Sequence, residues 1–168
     1  QSTLSVSRAV VGLTVCDNKL FVLCFGFNSI LVFGPNNKQQ TNIQLEQLKE
    51  PLDIVCCTET QQLFVADYTD ESCDVTRGVW RVSCDGRQVV KWLPNKSTTT
   101  SQFRPHTLSL TSRRLLVTSR DNNELLLYDA DGVELKYVPL PDMTDLQHAV
   151  EISRGTFVVC HLKPLPRV

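Results

Sequence analysis

The chain is predicted to be all-β and of β-propeller type, and three observations carry that expectation. A strand-like apolar run recurs at Leu20-Phe21-Val22-Leu23-Cys24, Leu63-Phe64-Val65-Ala66-Asp67, Leu115-Leu116-Val117-Thr118-Ser119 and Phe157-Val158-Val159-Cys160-His161; first residues at 20, 63, 115 and 157 give spacings of 43, 52 and 42. Around each run the same neighbours return: an alternating segment before it and a third strand after it. Hairpin residues then lead into a fourth, edge-like strand. Self-similarity at roughly 40 to 45 residues, with several short strands per unit, marks blades arranged radially rather than a helical solenoid.

The elements follow in order. Val11-Gly12-Leu13-Thr14-Val15, Leu52-Asp53-Ile54-Val55-Cys56, His106-Thr107-Leu108-Ser109-Leu110 and His148-Ala149-Val150-Glu151-Ile152 are the expected innermost strands. Third strands are expected at Ile30 to Phe33, Val79 to Val82 and Leu125 to Tyr128, followed by turns at Gly34-Pro35-Asn36-Asn37, Asp85-Gly86 and Asp131-Gly132. Asp-Gly between two strand-like runs signals a hairpin, because glycine takes positive φ without steric cost. Gln88 to Trp92 and Glu134 to Val138 then read as outer strands.

These units set expected blades at about 8–49, 50–103 and 104–145, with a partial fourth over 146–163, within one propeller-type domain spanning 1–168. A propeller of three and a half blades leaves sheet edges bare, whereas propellers have 4 to 8 blades in a closed ring. The expectation is therefore a fragment of a longer propeller, since Gln1 is not a start methionine and Lys163 to Val168 abandon the repeat. Two alternatives are a ring completed by another chain, as in a homodimer, and pairing of Ser2 to Val6 with the last blade.

Composition suits a globular chain: 42% hydrophobic and 21% charged, with net charge −1. That balance offers no global attraction to nucleic acid or acidic membrane surfaces, and no apolar run is long enough for a membrane helix. Six of the seven cysteines, Cys16, Cys24, Cys56, Cys57, Cys84 and Cys160, fall in or beside strands and are expected to be reduced and buried, favouring an intracellular, cytoplasmic protein. Cys73 lies in the 69–78 insertion and is placed to reach Cys84 across a hairpin. No pair has zinc-knuckle spacing, so no structural zinc and no cofactor are expected.

Pro51-Leu52-Asp53-Ile54-Val55 and Pro105-His106-Thr107-Leu108-Ser109, each followed by a Leu-x-Val strand and then by Val-Trp-Arg-Val or Leu-Leu-Leu-Tyr-Asp, resemble the NHL repeat. Leu63 to Asp67 with Tyr68 is the best match, because that family favours a strand ending in Val-Ala-Asp. The resemblance implies a propeller. In tripartite-motif NHL proteins it is non-enzymatic and binds RNA or protein on one face, whereas other NHL-like propellers are lyases, lactonases or extracellular modules. Ser119 and Cys24 stand where Asp67 does, a departure from the pattern.

Candidate chemistry is sparse. His106 and His148 are read as equivalent positions at one mouth of the channel, a candidate metal pair that would need a third ligand from Asp53, from water or from a missing blade. Asp53 and Asp67 are a conceivable acid and base, although an aspartate after a strand more often caps a turn through backbone amides. No nucleophile elbow or phosphate-binding glycine loop occurs. Arg104, Arg113, Arg114 and Arg120, with Trp92 and Tyr137 as aromatic neighbours, form the candidate RNA face. The expected function is a non-enzymatic scaffold for protein partners, using loops such as 69–78 and 94–104; RNA binding and a metal-dependent lyase or lactonase are the alternatives.

Overall fold

A computed structural model of the 168-residue chain describes residues 6–7, 9–68, 77–93, 104–111, 114–120, 122–129 and 131–162. Among them the chain is all-β, without a helix. The first sheet is β1 (Val10–Cys16), β2 (Lys19–Cys24), β3 (Ser29–Phe33) and β4 (Gln39–Gln44), and the second is β5 (Pro51–Cys57), β6 (Gln62–Asp67), β7 (Gly78–Ser83) and β8 (Val89–Leu93). A third contains β9 (Pro105–Thr111), β10 (Arg114–Ser119), β11 (Glu124–Tyr128) and β12 (Glu134–Pro139), and a two-stranded sheet pairs β13 (Leu146–Ser153) with β14 (Thr156–His161). Every pairing is antiparallel between consecutive strands, so each sheet is a meander and has the form of a propeller blade.

The second and third strands of each full sheet are largely buried on both faces and carry apolar residues on both. Phe21, Leu23, Ile30 and Val32 pack with Ile54, Leu63, Val65 and Val82, joining sheets one and two. Phe64, Ala66 and Val79 meet Leu108, Leu115 and Val117, joining two and three. Leu116, Leu125 and Leu127 cover Leu146 and Ala149 of the last sheet. On the opposite side of sheet one, Val22, Cys24, Leu31 and Phe33 are buried with Val6 against them. Outer strands are polar by comparison; the four-stranded first unit is as expected, but its fourth strand, β4, is not placed by the sequence, since Gln39–Gln44 has only Ile43 as a buried apolar residue.

The inner strands share a device that sequence reading missed. Each carries a β-bulge near its start, where pairing skips one residue: Val11 in β1, Leu52 in β5, His106 in β9 and Gln147 in β13. A bulge leaves its extra residue unpaired and re-aims the residues around it. Counted from the bulge, His148 corresponds to Gly12, Asp53 and Thr107, while the counterpart of His106 is Gln147. The expected equivalence of His106 and His148 is therefore corrected by one residue.

In the first three sheets the residue after the bulge approaches the next sheet. A Cβ on Gly12 would lie 2.9 Å from the Ile54 side chain and 3.1 Å from its backbone nitrogen. Asp53 Oδ2 accepts the Leu108 N–H at 2.8 Å, and Thr107 Oγ1 donates to the Gln147 carbonyl at 3.1 Å. Further along, Thr14 Oγ1 accepts the Cys56 N–H at 3.1 Å.

Cys16 and Cys56 form a disulfide between the first two sheets, with Cα atoms 6.0 Å apart. This corrects the reduced reading for that pair: β1 and β5 are adjacent inner strands, which their distance in sequence hides. Cys24 and Cys57 are buried, Cys84 is half-buried, and Cys160 is exposed rather than buried. Cys73, most of the 69–78 insertion and residues 94–103 lie outside the described residues, as does the expected Cys73 to Cys84 bridge.

Candidate functional site

The bulged starts of β5 and β9, with β1 and β13 flanking them, surround a cavity of about 440 Å³ lined by Leu13, Leu52, Asp53, Val55, His106 and His148. The two histidines and Asp53 thus do share one mouth. Burial pushes the Asp53 carboxyl above its ordinary value, opposed by the Leu108 and Ile54 amides and by positive charge on His148 or His106. Both oxygens are engaged, Oδ1 with the Ile54 N–H at 2.8 Å and Oδ2 with that of Leu108. His106 stands edge-on to the Tyr68 ring, with centroids 6.4 Å apart. The donor atoms of Asp53, His106 and His148 do not all lie within 4.8 Å of one another, a convergence that among the described residues is found at Cys16, Cys56 and Cys84.

Asp67 belongs to another network. It is fully buried and its oxygens accept the N–H groups of Glu50 at 2.7 Å and Lys49 at 3.3 Å, so it caps the turn into β5. The two aspartates each serve backbone amides, and no hydrogen bond joins them into an acid and base pair.

The predicted basic face is distributed among separate partners. Arg104 donates to the Tyr68 hydroxyl at 3.3 Å and places its guanidinium 5.6 Å from that ring's centroid. Arg114 pairs with Glu151 at 2.8 Å, reaching the neighbouring sheet, and Glu151 is 1% exposed. Arg120 pairs with Asp145. Arg113 lies outside the described residues. Trp92 is wedged between Phe64, at 4.7 Å, and Tyr128, at 6.2 Å between centroids, and so packs between sheets. Tyr137 is 51% exposed, and the charge of neighbouring Glu124, to which it hydrogen bonds, raises its phenol pKa.

Radial meanders with inner strands side by side define a propeller-type protein with an open row of sheets. Solved structures agree on that fold. The computationally designed Ika4 protein is similar at TM-score 0.64 and 11% identity, covering 96% of each chain. Hydrazine synthase from Kuenenia stuttgartiensis is similar at TM-score 0.68 and 14% identity, over 94% of this chain and 45% of that one. A catalytically inactive His-to-Ala variant of virginiamycin B lyase from Staphylococcus aureus, solved with quinupristin, gives TM-score 0.65 and 15% identity over 88% of this chain and 47% of the lyase. The chain thus spans about half the length of these two enzymes. No family model and no curated protein matches the sequence. No helix among the described residues is long and apolar enough to cross a membrane.

Proposed function

We propose that this chain is a non-enzymatic binding scaffold that takes a protein partner against the exposed apolar residues Leu13 and Val15 of its first inner strand and Ile152 and Val158 of its last sheet. One observation carries the reading. Leu13 and Val15 are 61% and 63% exposed, although their counterparts in the following inner strands, Ile54 and Leu108 among them, are buried under the preceding sheet. On the last sheet, Ile152 and Val158 are 63% and 53% exposed. Exposed apolar residues of this kind mark a surface awaiting another, and here the surface has the chemistry of an inter-blade contact. The NHL-like strands support the same class, since the propellers of tripartite-motif NHL proteins bind RNA or protein. In the histidine cavity the Asp53 carboxylate is engaged by the Ile54 and Leu108 amides, which supports a structural role for it and a non-catalytic reading. The RNA alternative loses support from the ion pairs of Arg114 and Arg120.

A pure sample contains one protein partner, a second copy, so self-association is the first test. Sedimentation equilibrium up to ~100 µM should show association that Leu13→Asp or Val158→Asp removes, with circular dichroism unchanged. A strictly monomeric chain that binds single-stranded RNA would overturn the proposal.

A further inference from the structure

Three sulfurs meet at the other end of the inner strands, away from the histidine mouth. Cys16 closes β1, Cys56 is the penultimate residue of β5, and Cys84 follows β7. All three Sγ atoms lie within 4.8 Å of one another, and Cys84 Sγ is 3.7 Å from Cys16 Sγ. Hydrogen bonds that do not involve the sulfurs hold these segments in place. Thr14 holds the Cys56 amide to β1, and the Cys84 N–H donates to the Gln61 carbonyl at 3.2 Å. Cys16 is buried, while Cys84 lines an open cavity of about 380 Å³ with Lys19, Gln61 and Asp85.

We propose that Cys16, Cys56 and Cys84, once the Cys16–Cys56 disulfide is reduced, form a three-thiolate site for a soft divalent cation of the zinc class. A tetrahedral ion with metal–sulfur bonds of about 2.3 Å sets sulfurs about 3.8 Å apart, the separation already held by Cys16 and Cys84. Cys84 opens on the cavity, from which water could complete the shell. The oxidised and metal-bound states exclude each other. A dithiol reductant gives two electrons and two protons to the bridge and itself becomes a disulfide; each thiol then releases its proton as it ligates the cation. The cation would tie sheet one to sheet two where the disulfide does in the oxidised chain. The site is separate from the apolar faces, so its test is independent of self-association.

The experiment uses the full chain, reduced with a non-coordinating phosphine and titrated anaerobically with Co2+ or Cd2+ alone. One equivalent should bind with thiolate charge-transfer absorption; Cys84→Ser should weaken it by at least about tenfold, and Cys160→Ser should leave it unchanged. In the reduced wild type, one equivalent of Cd2+ should also protect Cys84 from alkylation, a readout that needs no substitution. The oxidised chain should give neither signal. No uptake by the reduced chain, uptake unchanged in Cys84→Ser, or Cys84 alkylated equally fast with cadmium would each overturn the site.

Discussion

Asp53 in the second sheet accepts the backbone N–H of Leu108 in the third, with Oδ2 2.8 Å from the nitrogen, while its other oxygen holds Ile54 in its own strand. One carboxylate therefore spans the seam between these blades, beside the hydrocarbon packing of Phe64, Val79, Leu108 and Leu115.

Replacing it shows what the tie contributes. Asp53→Asn keeps one acceptor and turns an NH2 toward the other amide, so it should cost about 2 to 3 kcal/mol. Burial raises the Asp53 pKa, which means that folding favours its neutral form. That contribution is fully present below the unfolded-chain value, about pH 4, and is lost as pH rises through the higher folded value. The stability gap between wild type and Asp53→Asn should therefore widen between pH 7 and pH 4 in urea titrations. A gap that narrows on acidification would mean that the two amides outweigh burial.

Arg114 and Glu151 give a second measurable tie, between the third and last sheets. Glu151 is almost fully buried, and its other oxygen accepts the Gly155 N–H at 2.8 Å. Arg114→Ala leaves a buried carboxylate without its cation and should destabilise by about 3 to 5 kcal/mol. Arg114→Met combined with Glu151→Leu should recover more than half of that loss in denaturant midpoints. Were Arg114→Ala neutral for stability and damaging to RNA affinity, the arginine would be a surface contact instead.

Two glycines separate steric closure from backbone preference. Gly78 has φ +145°, and a Cβ there would lie 2.0 Å from the Leu93 carbonyl oxygen, backbone that cannot yield cheaply. Gly26 has φ +75° with nothing within 4 Å. Gly26→Ala should cost about 1 to 2 kcal/mol for the left-handed conformation alone, and Gly78→Ala clearly more, because β7 must part from β8. Thermal melts that rank the two equally would contradict this difference.

The strand repeat was readable because interior strands carry their burial in their side chains: Leu63, Phe64, Val65 and Ala66 are apolar whichever way they face. The fourth strand expected in the first unit could not be located, because the pairing of β4 with β3 uses backbone groups and its side chains, Gln39, Gln40, Thr41 and Asn42 among them, are those of a loop. The shared mouth of Asp53, His106 and His148 followed from the repeat, yet their alignment came out one residue off. A bulge adds a residue without changing composition, so nothing in the letters marks it. Arginines counted as a patch turned out to face different partners, since proximity along a strand says nothing about which neighbouring sheet a long side chain reaches. Cys16, Cys56 and Cys84 escaped notice for a related reason: their spacing fits no local motif, and only the stacking of one sheet on another brings them together.

The repeated bulge has a consequence for how such a protein is joined. One address per blade, the residue just past the irregularity, decides the character of each joint: a missing side chain at Gly12 allows close approach, a carboxylate at Asp53 clamps an amide, a hydroxyl at Thr107 hooks a carbonyl. The joints are thus tuned separately while the surrounding hydrocarbon stays alike. At the fourth address stands His148, exposed, with a ring that can both donate and accept. Whatever sheet comes to rest against the last one will be greeted first by an imidazole, and its own residue at that spot determines whether the fit is a clasp or a collision.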